Sequence, residues 1–206
     1  MELTLSQKDA VTELINIGYG RAAGALSELT GYQIALEVPE VTMHDINAIA
    51  PMLESRINLD VASVNQVFSG PVSGSALLLI DQASALVLSR LLGDDRAVSE
   101  DFDTNAKEII TEVGNIVLNA CLGVFGNLLR IQVTFSVPRL HVENVTRVFR
   151  KVITESDEAL SHGLMIHTRF HVKTGNVTGY MVIVLGIASL DRLLLELTNW
   201  EQRQIQ

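Results

Sequence analysis

An α+β fold is predicted by three features of the sequence: an internal repeat, a long amphipathic helix pattern opening each half, and β-branched runs separated by turn residues behind it. The expected architecture is a tandem duplication of an αβββα unit, with a pseudo-twofold axis relating the halves. Their strands would join into one mostly antiparallel six-stranded sheet packed with two long helices, because joining removes open edges that invite aggregation. Residues 1–206 then form a single domain, with repeat 1 at about 5–95 and repeat 2 at about 100–206.

The repeat is visible when the sequence is slid against itself by 99 positions. Thr12 then falls on Thr111, Glu13 on Glu112, Asn16 on Asn115, Ile17 on Ile116, Gly24 on Gly123 and Pro39 on Pro138. Later in each half the offset is 105, which aligns Gly74 with Gly179 and Ala83-Ser84 with Ala188-Ser189. Six residues are therefore extra in the second half. The charged stretch Lys151 to His162 is the expected place for them, since lengthening a loop costs little.

Each element follows in order. Val11, Leu14, Ile15, Ala22, Ala25, Leu26 and Leu29 recur at helical spacing, with Ser6 as N-cap candidate and Gly31 as stop, so a helix is placed at about 6–30. Tyr32 to Val41 and Ile57 to Phe68 are rich in β-branched and aromatic residues and read as strands. Ser69-Gly70-Pro71 turns the chain into a third strand, Gly74 to Ile80. Residues 82–92 resume helical periodicity and stop at Gly93-Asp94-Asp95. The second half repeats the pattern with a helix at about 101–129, strands near 131–149, 163–173 and 176–186, and a last helix from Ser189.

Composition narrows the functions. The formal charge of -9, from 24 acidic against 15 basic residues, repels phosphate backbones and anionic lipid, so neither nucleic acid nor a membrane surface is an expected partner. Residues 76–92 contain Asp81, Gln82 and Arg90, and residues 180–190 are too few to cross a bilayer, so neither apolar run is read as a span. The start lacks a basic and an apolar segment of the signal-peptide kind, and the single cysteine, Cys121, suits a reducing compartment. The expected location is the cytoplasm.

Residues three apart on a helix share a face, so Glu13 and Asn16 project together, as do Glu112 and Asn115. A surface carboxylate can dock on a partner's lysine. A carboxamide both donates and accepts hydrogen bonds, and can hold a water in line with phosphorus. Phosphoryl transfer needs positioning and charge stabilisation more than a strong nucleophile, so the pair suits hydrolysis of a partner's acyl phosphate. One such pair is an ordinary feature of a helix surface. Two at equivalent places in a diverged repeat point to function, because Asn is a mediocre helix former.

The wider pattern, Asp9-x3-Glu13-x2-Asn16-x22-Pro39 with Glu108-x3-Glu112-x2-Asn115-x22-Pro138, resembles the twin signature of CheC-type chemotaxis phosphatases, whose relatives include CheX and the flagellar-switch protein FliY. The likeness covers nearly the whole chain. It departs at Glu108, where the family usually has Asp or Ser. The resemblance implies a single CheC-like domain acting as phosphatase on phosphorylated CheY-like response regulators. It implies that Glu13 and Glu112 contact the regulator while Asn16 and Asn115 orient the hydrolytic water. No cofactor of its own is implied, Mg2+ being expected on the partner, and a CheD-like deamidase is a further partner of some CheC proteins. The alternative is a non-catalytic adaptor or flagellar-switch-type module that binds the phosphorylated regulator.

Other signals carry structural readings. Gly18-Tyr19-Gly20-Arg21-Ala22-Ala23-Gly24 lies inside a helix pattern rather than after a strand, so close helix packing is expected instead of a phosphate cradle. His162, His167 and His171 lack a matching acidic or cysteine ligand, which favours a solvated strand face over a metal site. Cys121 sits among apolar residues as a buried, inert thiol. Asp94, Asp95, Glu100, Asp101 and Asp103 read as a solvated loop with helix N-terminal charge.

Overall fold

The computed structural model describes residues 3–57, 60–92, 102–156, 159–172 and 175–204. The first half runs α1 (Leu5–Thr30), β1 (Ile34–Asp45), α2 (Ile46–Glu54), β2 (Asp60–Ser69), β3 (Gly74–Asp81) and α3 (Gln82–Leu92). The second runs α4 (Thr104–Leu129), β4 (Thr134–Phe135), β5 (Arg139–Asn144), α5 (Val145–Thr154), β6 (Leu160–Val172), β7 (Gly175–Gly186) and α6 (Ile187–Gln204). The α+β class and the antiparallel sheet are as expected. The unit differs by one helix: it is α-β-α-β-β-α, and the sheet has seven strands because the first strand of the second half is broken into β4 and β5.

The added helices explain themselves locally. Asp45 accepts a hydrogen bond from the Asn47 backbone N–H (2.9 Å), and Asn144, its repeat equivalent, accepts one from Arg147 (2.9 Å). Behind these caps, Ile46, Ile49 and Leu53, and Val145, Val148, Phe149 and Val152, each make a buried helical stripe. They cover one face of the sheet through Leu77, Leu79, Tyr180, Val182 and Val184. The alternate residues Ala76, Leu78, Ile80, Met181, Ile183 and Leu185 face α1, α3, α4 and α6 on the other side. The result is three layers, with β3 and β7 buried on both faces.

All strand pairs are antiparallel, in the order β1-β6-β7-β3-β2, with β4 and β5 both beside β2. The halves meet at β3–β7, yet they are not two units laid edge to edge. The first half's β1 pairs with β6 of the second, and β5 of the second pairs with β2 of the first. Each half lends its leading strand to the other.

The six extra residues also lie elsewhere than expected. Val61 pairs with Asp81, while their repeat equivalents Leu160 and Gly186 pair with a register shift beside them. The insertion therefore sits inside the β6–β7 hairpin, where it lengthens a hydrogen-bonded ladder instead of a loop. That length lets β6 pair with β1 from Ile34–Val172 to Asp45–His162. Lys151 belongs to α5, whose counterpart α2 is already present in the first half.

Both long helices are capped from the side. Thr4, not Ser6, caps α1: the Gln7 backbone N–H donates to Thr4 Oγ1 (3.2 Å), and the Thr4 N–H donates to Gln7 Oε1 (3.0 Å). Asp103 caps α4 through the Ala106 N–H (2.9 Å); Asp94, Asp95, Glu100 and Asp101 lie outside the described residues. Gly31 ends α1 in the left-handed conformation at φ 71°, as its glycine predicts, whereas Arg130 adopts φ 60° at the end of α4.

Candidate functional site

α1 and α4 are antiparallel neighbours, packed where Gly18 meets Cys121; a Cβ on Gly18 would stand 2.9 Å from the Cys121 Cα. Gly20 and Gly24 face open space, so only the first of these three glycines serves the helix contact. Cys121 is fully buried, and burial pushes its thiol far above the usual range. α4 is long and apolar enough to cross a membrane by length and composition, a match that the two runs singled out above do not make; here half of that stretch is buried within the fold.

The apolar stripes of both helices point to the sheet, which leaves the polar positions outward. Asp9, Glu13 and Asn16 are exposed along one line of α1, and Glu108 and Glu112 along the equivalent line of α4, with Asn115 half-buried. One turn before each Asn, the backbone is matched in detail: Thr12 Oγ1 donates to the Lys8 carbonyl and Thr111 Oγ1 to the Lys107 carbonyl, both at 2.7 Å. Because the helices run in opposite directions, the two pairs lie toward opposite ends of the helix layer. With 1.5 Å of rise per residue, their centres are roughly 16 Å apart along it.

The pairs differ in their surroundings. The Asn16 side chain makes no hydrogen bond among the described residues, whereas Asn115 Nδ2 faces Glu112 Oε2 at 3.4 Å and Asn115 Oδ1 accepts from Asn119 Nδ2 at 2.5 Å. A groove of about 300 Å³ opens beside the second pair, between Leu26 and Leu29 of α1 and Ile109 of α4, with Glu108 and Glu112 on its wall. On the other side of the helix layer, Trp200 of α6 packs on the core and Arg203 Nη2 donates to the Leu128 carbonyl (3.2 Å) near the end of α4. Pro138 is half-buried ahead of β5.

The histidines are engaged in other ways. His167 stacks on Tyr180 with ring centroids 5.0 Å apart, and burial holds its imidazole below the usual range. His162 Nδ1 lies 3.0 Å from Ser161 Oγ. His171 Nε2 lies 3.1 Å from Glu37 Oε2, to which Arg169 Nη1 also donates (3.2 Å). The hydrogen bond to Glu37 raises His171 and, reciprocally, lowers Glu37. A histidine raised by folding adds stability below its unfolded value that is lost as pH climbs through its folded value. We expect an NMR titration to place His171 above an unfolded-state histidine, and Glu37→Gln to bring it back down. An unchanged midpoint in the variant would remove the pair as the cause.

Comparison with known proteins agrees with the motif. A family model described as the CheC-like family matches residues 7–43, which spans the first Glu-x-x-Asn pair. "CheY-P phosphatase CheC" of Bacillus subtilis is 25% identical over 165 residues, covering 79% of this chain and 78% of that protein. "Flagellar motor switch phosphatase FliY" of the same organism is 22% identical over 89% of this chain, which spans 47% of FliY's length. The crystal structure of Thermotoga maritima FliY superposes with a TM-score of 0.77 over 97% of this chain and 100% of that one, at 20% identity. In motif, in sequence and in fold, this chain is similar to the CheC/FliY-type chemotaxis phosphatases.

Proposed function

We propose that this protein is a cytoplasmic phosphatase that hydrolyses the aspartyl-phosphate of a phosphorylated CheY-like response regulator. The observation that carries the reading is the twice-occurring Glu–Asn pair, held outward on the two long helices where a partner's surface can reach it. Glu13 or Glu112 docks on a basic group of the regulator. The Oδ1 of Asn16 or Asn115 accepts a hydrogen bond from the water's O–H, which turns the water's lone pair toward phosphorus. The new P–O bond forms as the bond to the aspartyl oxygen breaks, leaving carboxylate and inorganic phosphate. The chain supplies no metal in this scheme; Mg2+ arrives with the regulator, where it neutralises phosphoryl charge.

Timing the loss of radiolabel from a phosphorylated regulator, with and without the protein, tests the proposal directly. Faster loss is the expected result. Binding without faster loss would instead identify an adaptor or switch module built on the same surface.

Docking by carboxylate has its own signature. Glu13→Lys with Glu112→Lys is expected to weaken association with a regulator carrying a stable acyl-phosphate mimic by tenfold or more, on the order of 1.4 kcal/mol, and to flatten its salt dependence. Unchanged affinity by titration calorimetry would remove both residues from the interface.

A further inference from the structure

The second site has a support that the first lacks. Gln66, on β2, is only 1% exposed, and its Nε2 donates both to the Ser136 carbonyl (3.0 Å) and to Asn119 Oδ1 (2.9 Å). Asn119 Nδ2 in turn donates to Asn115 Oδ1 (2.5 Å), and Asn115 Nδ2 points to Glu112 Oε2 (3.4 Å). Every link donates in the same sense, from the buried strand to the exposed carboxylate. The sense is fixed at the buried end, because the Ser136 backbone carbonyl can only accept, so Gln66 has to turn its NH2 group toward it. Ser136 is itself tied to β2: its Oγ accepts from the Val67 N–H (2.9 Å) and its N–H donates to the Val67 carbonyl (2.9 Å).

At the first site the place of Asn119 is taken by Gly20, one helical turn beyond Asn16, with open space where a side chain would begin. Asn16 has no equivalent anchor.

We infer that Asn119, backed by Gln66, is a positioning residue that sets the amide of Asn115, and that the two sites are therefore unequal. The second is ordered before the regulator arrives; the first is ordered only by the regulator. The inference rests on the proposed phosphatase reading for its catalytic consequence, although the ordering itself does not. Asn115 Oδ1 keeps a second lone pair, so holding it from Asn119 still leaves an acceptor for water. A side chain already in its working orientation loses less freedom at the reactive step, and small misplacements of such groups lower rates strongly.

Two measurements test this. Side-chain amide relaxation by NMR on the free protein is expected to show Asn115 rigid and Asn16 mobile, with Asn119→Ala making Asn115 as mobile as Asn16. Equal mobility in the parent, or no response to Asn119→Ala, overturns the inference whether or not the protein is a phosphatase. For turnover, Asn16→Ala leaves only the second site and Asn115→Ala only the first. In the Asn16→Ala background, Asn119→Ala is expected to lower kcat roughly tenfold with KM unchanged. In the Asn115→Ala background the same substitution is expected to be silent. A loss in both backgrounds would mark Asn119 as a structural residue and overturn its positioning role. The expected NMR response in a parent protein that leaves the phospho-regulator's lifetime unchanged would sink the phosphatase reading and leave the ordering intact.

Discussion

Asn16→Ala combined with Asn115→Ala is expected to abolish catalysed dephosphorylation, a fall of at least about 100-fold by analogy with removing one preorganised polar group from an active site. The fold should be retained. Both residues lie on helix surfaces, and alanine is the best helix former, so neither backbone would be strained. At Asn115 the variant also removes the acceptor for Asn119 Nδ2, which lies half-buried near solvent and can turn to water. Circular dichroism and melting should match the parent, and the Glu13 and Glu112 carboxylates should keep the regulator bound. A double variant that is folded and retains most of its activity would refute water placement by these amides.

The largest stability effect is expected at Gly74. It lies on β3 where the halves meet, and a Cβ there would stand 2.1 Å from the Val184 carbonyl oxygen and 3.1 Å from both Phe68 and Leu185. Its repeat equivalent, Gly179, would put a Cβ 2.7 Å from the carbonyl of Leu79. Backbone oxygens in the central strands cannot rotate aside as a flexible side chain would, so Gly74→Ala has to break ladder hydrogen bonds or part the seam. We expect a loss of about 3 kcal/mol or more, which for a domain of this size is a fall in Tm of about 6 to 12 °C. Gly24→Ala and Gly123→Ala provide the contrast. Both positions are helical with open space around them, and each should gain up to about 1 kcal/mol. A Gly74→Ala protein that melts with the parent would show that the seam is looser than these distances state.

What the sequence made legible follows from how local each signal is. The long helices announce themselves because their apolar residues repeat over seven turns, and the Glu–Asn pairs because spacing on a helix fixes their direction. α2 and α5 went unseen for a physical reason. They are short, and Val145, Thr146, Val148, Val152 and Ile153 carry the β-branched character that favours strands. The stronger signal was present in the caps Asp45 and Asn144 and the i, i+3, i+7 spacing behind them. The exchange of β1 and β5 had no local signature, since strand partners are chosen by the whole sheet. Neither did the Gln66–Asn119 contact, which joins residues far apart in the chain. A glutamine within a strand pattern and an asparagine on a helix each look like solvated surface until the fold brings them together.

The crossed strands have an implication for how the two halves can differ. A chain of half this length, with the same topology, would pair β2 with β3 but leave β1 without a neighbour and the other edges of β2 and β3 open; it could complete its sheet only by pairing with a second copy. Such a homodimer would carry two identical sites by symmetry, and any substitution would strike both at once. Covalent linkage of the halves lifts that constraint while leaving the mutual pairing in place. Asn119 in the place that Gly20 holds in the first half is an asymmetry that a dimer of identical copies could not hold. The two helix surfaces can then diverge independently of one another.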